Sequence, residues 1–189
     1  MKTRIPNLYL ENAEILPGRF RNFSGKAERY NKEGNRNFNV VLNKNSDMRY
    51  KIGDYPPKYM KVSIQDLVDD GWNLRPMKPR DGDEEDAPPR YKLNVTVSFR
   101  YRPPEIRLYS GKRETFLDEE TVGALDYADY STADLTIRPR LWTDDDGTRK
   151  IKAYLAEMRV IIAPNRWEDK YAKYMEGGKE EDENDDLPF

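Results

Sequence analysis

The sequence predicts a mainly β fold: an antiparallel Greek-key barrel with two or three short helices and a disordered acidic C-terminal tail. Residues 90–102 alternate apolar and polar side chains along their whole length. At least four further segments have strand patterns, and turn residues separate them. No regular alternation of strands with helices appears, which argues against a parallel sheet. A β-sandwich is the second possibility.

The first quarter of the chain supplies three predicted strands. They span residues 6–16, 18–23 and 36–42, and a Pro-Gly turn pair separates the first two. In the third strand, alternate residues are apolar and share one face. Residues 43–62 are polar with no clear period, so no element is predicted there.

A short helix over residues 63–71 has signals at both ends. Ser63 is the predicted N-cap, Asp66 stands where a capping box needs an acceptor, and Gly71 supplies a left-handed stop. A strand over residues 72–76 follows. The acidic segment 81–89 ends in two prolines and is predicted to be a mobile loop between strands.

Residues 90–102 are the clearest predicted strand. One face is apolar and half aromatic, and it includes Phe99 and Tyr101, which are therefore predicted to lie in the core. The other face is polar and ends in two arginines. Residues 105–109 repeat the same alternation after a Pro-Pro break.

The remaining elements follow from capping and turn signals. A helix is predicted from Leu117 to about Asp126, with Asp118 as its cap. Strands over residues 134–142 and 151–163 flank an Asp-Asp-Asp-Gly turn. A capping box then opens a helix over residues 165–175, with three aromatic residues on one face, predicted to dock on the barrel. This tally of strands favours a barrel of the OB type.

Length and composition limit the number of domains and the possible functions. The 189 residues suit one domain, here residues 1–175, followed by a tail over residues 176–189. The formal net charge of −2 is unevenly distributed between the domain and the tail. The tail carries seven acidic residues and one lysine, which leaves a net charge of +4 on the domain. A weakly basic body with an acidic tail points towards polyanion binding. So small a basic excess implies modest binding by one domain, which leaves room for a homodimer.

The chain contains no cysteine and no histidine. Disulfides, thiolate nucleophiles and thiolate metal sites are therefore excluded, as are the commonest general base and transition-metal ligand. No phosphate-binding glycine loop is present. We therefore expect a protein that is not an enzyme and uses no cofactor or metal. The sequence has no apolar run long enough to span a bilayer and no signal peptide, so a cytoplasmic protein without membrane contact is expected.

Basic and aromatic side chains fall together on the polar faces of several predicted strands. Guanidinium and ammonium groups neutralise phosphates, and aromatic rings stack on unpaired bases, so this combination suits single-stranded nucleic acid. The competing interpretation is an ordinary solvated strand face. The predicted DNA-binding residues are Arg100, Arg102, Arg107, Tyr109, Arg138, Arg140 and Trp142, extended by Lys152 and Tyr154, with Arg19, Phe20, Arg21 and Phe23 as a second wall.

The acidic run Asp144–Asp146 leaves one alternative chemistry open. Three adjacent carboxylates resemble the metal ligands of a two-metal nuclease or resolvase. Gly147 follows at once between two strands, so a hairpin turn is the favoured interpretation. A phage interaction protein that does not bind DNA is the other alternative.

The last five residues of the tail differ from a plain solubility tail. Asp185 and Asp186 are followed by Leu187, Pro188 and Phe189, so an acidic run ends on an exposed aromatic residue with its carboxylate. These residues predict a short peptide ligand for a protein partner: the ring fills a hydrophobic pocket and the negative charges meet a basic rim.

Four stretches of the body resemble phage-encoded OB-fold single-stranded-DNA-binding proteins. They are residues 21–25 (RNFSG), 70–73 (DGWN), 98–107 (SFRYRPPEIR) and 151–155 (IKAYL). The similarity covers roughly residues 6–162 and implies a DNA-binding barrel without catalytic residues.

The closing DDLPF is similar to the C-terminal tip of bacterial single-stranded-DNA-binding proteins, which recruits replication, recombination and repair enzymes. Bacterial tips usually have Ile in place of Leu187, and the linker before the tip is much shorter here. Together the two resemblances imply sequence-independent binding of single-stranded DNA in phage or prophage DNA replication or recombination. Host or phage proteins would be recruited through the tail, in the bacterial cytoplasm.

Overall fold

Five strands close into a barrel within residues 4–162, the part of the chain that the structure, a computed structural model, describes. This part contains one α-helix, α1 (Ile64–Asp70), and two short 3-10 helices at Gly18–Phe20 and Val122–Asp126. The strands are β1 (Asn7–Ile15), β2 (Arg21–Asn22), β3 (Arg36–Leu42), β4 (Asp47–Lys51), β5 (Tyr59–Lys61), β6 (Leu74–Pro76), β7 (Tyr91–Val97), β8 (Glu105–Ser110), β9 (Arg113–Leu117), β10 (Thr132–Thr143) and β11 (Arg149–Ile162).

The barrel closes in the order β1, β3, β7, β11, β10 and back to β1. The predicted mainly β barrel is therefore confirmed. Its pairings are antiparallel except for β11, which runs parallel to both β7 and β8. A parallel pair needs a long crossover connection, and residues 98–148 provide it between β7 and β11 without a regular strand–helix–strand unit.

Alternation along β7, β10 and β11 separates the core from the outer surface. In β7, Leu93, Val95 and Val97 are buried, whereas Lys92, Asn94 and Thr96 lie on the outer side. The same parity holds in β10 and β11, whose inward residues include Leu135, Ile137, Ile151 and Leu155. Burial of each such side chain contributes about 1.5–3 kcal/mol to stability, which fixes the register of these strands.

The predicted strand over residues 90–102 is shorter in the structure. β7 ends at Val97, where its pairing with Arg36 of β3 also ends. Residues beyond that point have no neighbouring strand to hold them and turn towards Pro103. Tyr101 is 92% exposed, so the prediction of a core position for it is wrong, whereas Phe99 is partly buried against the core.

Three strands, β4, β5 and β9, form where no strand is predicted. β4 and β5 lie within residues 43–62, and β9 pairs with β8 to form an arm beside the barrel. The predicted strand over residues 18–23 is instead a 3-10 turn followed by the two-residue β2. Gly18 at φ 66° places the turn directly after Pro17.

Helix α1 confirms its predicted signals. The Ser63 hydroxyl accepts from Asp66 N at 3.1 Å, and the Asp66 carboxylate accepts from Ser63 N at 2.8 Å. Gly71 ends the helix at φ 98°, and its carbonyl accepts from Ile151 N at 2.9 Å. The helix therefore fixes the start of β11.

The structure also tests the predicted acidic loop and the helix predicted after Leu117. The acidic segment 81–89 is irregular and almost wholly exposed between β6 and β7. The predicted helix from Leu117 to about Asp126 is wrong over its first half, because Leu117 ends β9 and only Val122–Asp126 is helical, as a 3-10 helix. Asp118 belongs to the turn between them, where its carboxylate accepts from Glu120 N and Thr121 N at 3.0 Å. The predicted helix 165–175 and the tail 176–189 lie outside the described residues. Within residues 4–162, no helix has the length and apolarity to cross a membrane.

Candidate nucleic-acid interface

A groove of about 1100 Å³ runs over the outer surface of β3, β7 and β11. The loop between β1 and β3 forms one wall, and the hairpin of β10 and β11 forms the other. We call it the outer groove, and its lining residues are Arg19, Phe20, Asn22, Glu28, Arg29, Tyr30, Asn31, Asn37, Asn39, Asn73, Arg75, Lys92, Leu93, Asn94, Thr96, Trp142, Lys150, Ile151, Lys152 and Ala153.

The floor of the outer groove is a network of asparagine side chains. Strand register places Asn39 opposite Asn94. Asn94 Nδ2 lies 3.3 Å from the Oδ1 atoms of both Asn37 and Asn39, and donates to them. Asn37 in turn donates to Asn31 Oδ1 at 3.2 Å, and Asn39 donates to the Phe20 carbonyl at 3.2 Å. The asparagine network is polar and uncharged, and its amides form hydrogen bonds largely with one another.

The same network holds the loop that forms the first wall. Asn31 Nδ2 lies within 2.9–3.2 Å of the carbonyls of Lys26, Lys32 and Asn35. Asn22 Oδ1 accepts from Lys26 N at 3.0 Å. These side-chain amides add to the few backbone hydrogen bonds of the loop, such as those between Glu28 and Asn31. They set the positions of Phe20 and Tyr30 above the floor.

Each aromatic ring at the outer groove lies beside a cation. Lys92 Nζ lies 4.9 Å from the centre of the Phe20 ring, and Lys150 Nζ lies 5.6 Å from that of Trp142. The Arg29 guanidinium lies 5.4 Å from the Tyr30 ring. Tyr30 is 90% exposed and Trp142 is 47% exposed. Accessible rings next to charges match the needs of a ligand that alternates flat bases with phosphates.

Positive charge dominates the lining of the outer groove. Six of its lining residues are cations, and Glu28 is its one carboxylate. Lys150 pairs with Asp144 at 2.7 Å, which holds the pKa of that carboxyl below its usual range. Within residues 4–162, Lys92 and Lys152 have no carboxylate at ion-pair distance, so their charges are available to an anionic ligand.

The structure brings four predicted site residues into the outer groove: Arg19, Phe20, Trp142 and Lys152. Three more lie beside it on the same surface. In the pairing of β10 with β11, Arg140 stands opposite Lys152, and Arg138 stands opposite Tyr154. Tyr154 also lies beside Thr96 of β7. The predicted grouping of these side chains therefore rests on the pairing of three strands.

Two predicted site residues belong to the interior instead. Phe23 is fully buried, and its ring stacks on Phe38 with centroids 4.8 Å apart. Arg21 is 8% exposed, donates to the Tyr130 carbonyl at 3.2 Å, and lies over the Tyr130 ring. Both side chains are buried and make contacts inside the protein, so the prediction that they contact DNA is wrong.

The remaining predicted residues lie away from the outer groove. Arg107 pairs with Glu105 and with Glu114, and Tyr109 donates to Glu114 at 3.1 Å, all on the arm of β8 and β9. The positive charge of Arg107 is thus compensated locally. Arg100 and Arg102 lie in the exposed bend after β7.

Several lining residues escaped the sequence interpretation. Asn37, Asn39 and Asn94 are neither basic nor aromatic, so the pattern that predicts a DNA-binding face does not include them. Lys92 has the same outward parity as Asn94, and that parity was a usable signal. Tyr30 lies in a loop without periodicity, and no local signal identifies it.

The acidic run after β10 forms a turn. Asp144 Oδ1 accepts from Asp146 N at 3.1 Å and from Thr148 N at 2.9 Å, and Gly147 adopts φ 78°. The hairpin interpretation is confirmed. Throughout residues 4–162, no group of three or more acidic side chains is arranged to hold a metal ion.

A closed barrel with a basic, aromatic-lined outer groove defines a protein suited to an extended polyanion with exposed bases. The family model described as "Putative phage ssDNA-binding domain" matches residues 1–186. The chain belongs to this family, and single-stranded DNA is the partner that the family indicates. The predicted resemblance to phage DNA-binding proteins is confirmed at that level. No curated protein and no solved structure matches the chain.

Proposed function

We propose that this protein coats single-stranded DNA without regard to sequence during phage or prophage replication or recombination, and that it has no enzymatic activity. The observation that carries the proposal is the outer groove, where Phe20, Tyr30 and Trp142 each stand beside a cation. Stacking on such rings is worth about 1–3 kcal/mol per base and tolerates any base. Phosphate neutralisation by lysine and arginine is equally indifferent to sequence.

The asparagine floor supports sequence independence. An asparagine that reads adenine needs a free amide to make two hydrogen bonds to the base edge. Here the amide oxygens of Asn37 and Asn39 accept from Asn94. The amide nitrogens of Asn37 and Asn39 donate to Asn31 and to the Phe20 carbonyl of the loop. The asparagine network therefore supports the walls, and the rings and cations that line the groove make the contacts with DNA.

We also infer that the barrel is of the OB type. Taken along the chain, the barrel strands β1, β3, β7, β10 and β11 close in the order first, second, third, fifth, fourth. OB-folds bind oligonucleotides on the face of the second and third strands, between the loops that follow the first and fourth strands. The outer groove occupies that place, between the β1–β3 loop and the β10–β11 turn.

Tryptophan fluorescence tests the proposed function. The chain has three tryptophans, of which Trp72 is 3% exposed and Trp142 stands at the groove. In a Trp167→Phe background, oligo-dT, oligo-dC and mixed-sequence strands are expected to quench Trp142 with affinities within a few fold of one another. Duplex of equal length should bind more weakly, because its bases are stacked inside.

The control is Trp142→Phe in the same background, which should lose the quenching and keep part of the affinity. Absence of quenching by every single strand would contradict the proposed function. A preference of many fold for one sequence would contradict sequence independence.

We propose further that the closing residues Asp185–Phe189 recruit host or phage replication or recombination proteins, on the basis of the similarity of DDLPF to bacterial tips. A chain ending at Asn184 should fail to capture these proteins from a host lysate, while its affinity for oligo-dT at high salt stays unchanged. Full capture by the shortened chain would contradict this role.

A further inference from the structure

We propose a second phosphate-binding site, formed by Arg4, Lys51, Arg102 and Arg138, that receives single-stranded DNA as it leaves the outer groove. The inference rests on the proposed function and deepens it, because it assigns the path of the strand beyond the groove. We call this site the basic pocket.

The basic pocket is a depression of about 630 Å³ on the other side of β10. Four segments that are distant in sequence meet there. Arg4 precedes β1, Lys51 ends β4, Arg102 lies in the bend after β7, and Arg138 lies within β10. Asp54 is the one carboxylate in its lining.

The positive charges of the basic pocket are not compensated within residues 4–162. None of its four cations has a carboxylate at ion-pair distance there, whereas Arg36, Arg49, Arg80, Arg90 and Arg107 on other surfaces all do. Arg138 instead donates to the Arg102 backbone carbonyl at 3.3 Å, so its guanidinium lies against the bend that carries Arg102. Partial burial and the positive charge of Arg102 lower the pKa of Arg138 below its ordinary value. An anion bound between these groups would relieve their repulsion.

Strand register connects the basic pocket to the outer groove. Across β11 and β10, Thr96 neighbours Tyr154, and Tyr154 neighbours Arg138. The next strand, β1, places Leu8 opposite Ile137, and Asn7 opposite Lys51 of β4. Four strand spacings separate Thr96 from Lys51, or roughly 19 Å along the surface.

This distance suits an extended single strand. Barrels that bind single strands cover about 4–16 nucleotides, so a path of this length fits within one binding site. Arg140 stands opposite Lys152 and is exposed, so it offers a cation between the two sites. Continuity with the groove favours DNA as the occupant over an acidic peptide, which would need no such path.

A length series of oligo-dT tests the proposal with the full chain. The double variant Lys51→Gln/Arg102→Gln removes two charges of the basic pocket and leaves the partly buried Arg138 in place. For strands just long enough to fill the groove, its affinity should equal that of the wild type. For strands near the upper end of the range it should fall about tenfold, and the gain of affinity with length should be lost.

The controls separate this proposal from the proposed function. Lys112→Gln/Arg113→Gln removes two exposed charges at the tip of the β8–β9 arm and should match the wild type at every length. Lys152→Gln in the groove should weaken binding at every length. Thermal unfolding should give each variant the same Tm as the wild type.

Wild-type affinity of the pocket variant at all lengths would overturn the basic pocket and leave the groove intact. An equal loss at all lengths would also overturn it as an extension of the path. Loss of binding to a peptide of residues 180–189, with DNA affinity unchanged, would reassign the pocket to an acidic peptide. If wild-type protein and Lys152→Gln bind no strand of any length, the proposed function itself fails.

Discussion

Reversing the charges of Lys92 and Lys152 together is expected to lower the affinity for oligo-dT by about 100-fold at low salt. Both lysines line the outer groove, from β7 and β11 respectively, and neither has a carboxylate at ion-pair distance within residues 4–162. Glutamates in their places would remove two phosphate contacts and repel the strand. Lys92 also lies over the Phe20 ring, so its loss weakens that stacking surface. Fluorescence anisotropy with a labelled strand measures the change.

The matched control reverses two charges elsewhere. Lys112→Glu/Arg113→Glu changes the net charge of the protein by the same amount at the tip of the β8–β9 arm. Its affinity should fall only by the small long-range effect of net charge, which disappears at higher salt. Equal losses in the two double variants would show that net charge governs binding and would contradict the groove.

Phe23→Ala is expected to lower the free energy of unfolding by about 3–5 kcal/mol, because it removes a fully buried ring stacked on Phe38. The neighbouring backbone remains anchored, since Phe23 N and Ser24 N donate to the Asp126 carboxylate at 2.6 and 3.0 Å. The folded fraction should therefore keep its affinity for oligo-dT. Denaturant unfolding and anisotropy at low temperature measure the two quantities.

Phe20→Ala is the matched control, since the same change is made three residues away on a partly exposed ring in the groove wall. It should cost much less stability and weaken DNA binding by about 1–3 kcal/mol. The reverse pattern, with a stable Phe23→Ala that binds poorly, would return Phe23 to the DNA interface.

The barrel was predictable because its strands have one buried and one exposed face. Alternation in residues 91–97 and 135–141 marked the inward side chains, and capping residues marked α1. β5 was not predictable, since all three of its residues are exposed and no alternation appears. The end of β7 depends on where its partner β3 ends, and a sequence pattern contains no such information.

The candidate site was predictable in part, for the same reason. Arg140, Trp142 and Lys152 were grouped correctly, because a tight turn joins their strands and fixes the register between them. Phe23 and Arg21 follow a turn, where residue alternation does not show which side chains point inward, so the sequence does not distinguish a buried aromatic and basic cluster from an exposed one. The position of the loop over β3 depends on hydrogen bonds from Asn37 and Asn39 to Asn31 and to the Phe20 carbonyl, and no residue pattern in the sequence predicts these contacts.

The salt dependence of oligo-dT affinity tests most directly whether the groove lysines neutralise phosphates. Each phosphate contact on a single strand contributes about 0.7 to the slope of log affinity against log salt concentration. Changing Lys92 and Lys152 to glutamine should therefore reduce that slope by about 1.4, whereas Lys112→Gln/Arg113→Gln should leave it unchanged. A groove variant with the wild-type slope would contradict binding of the DNA backbone in the outer groove.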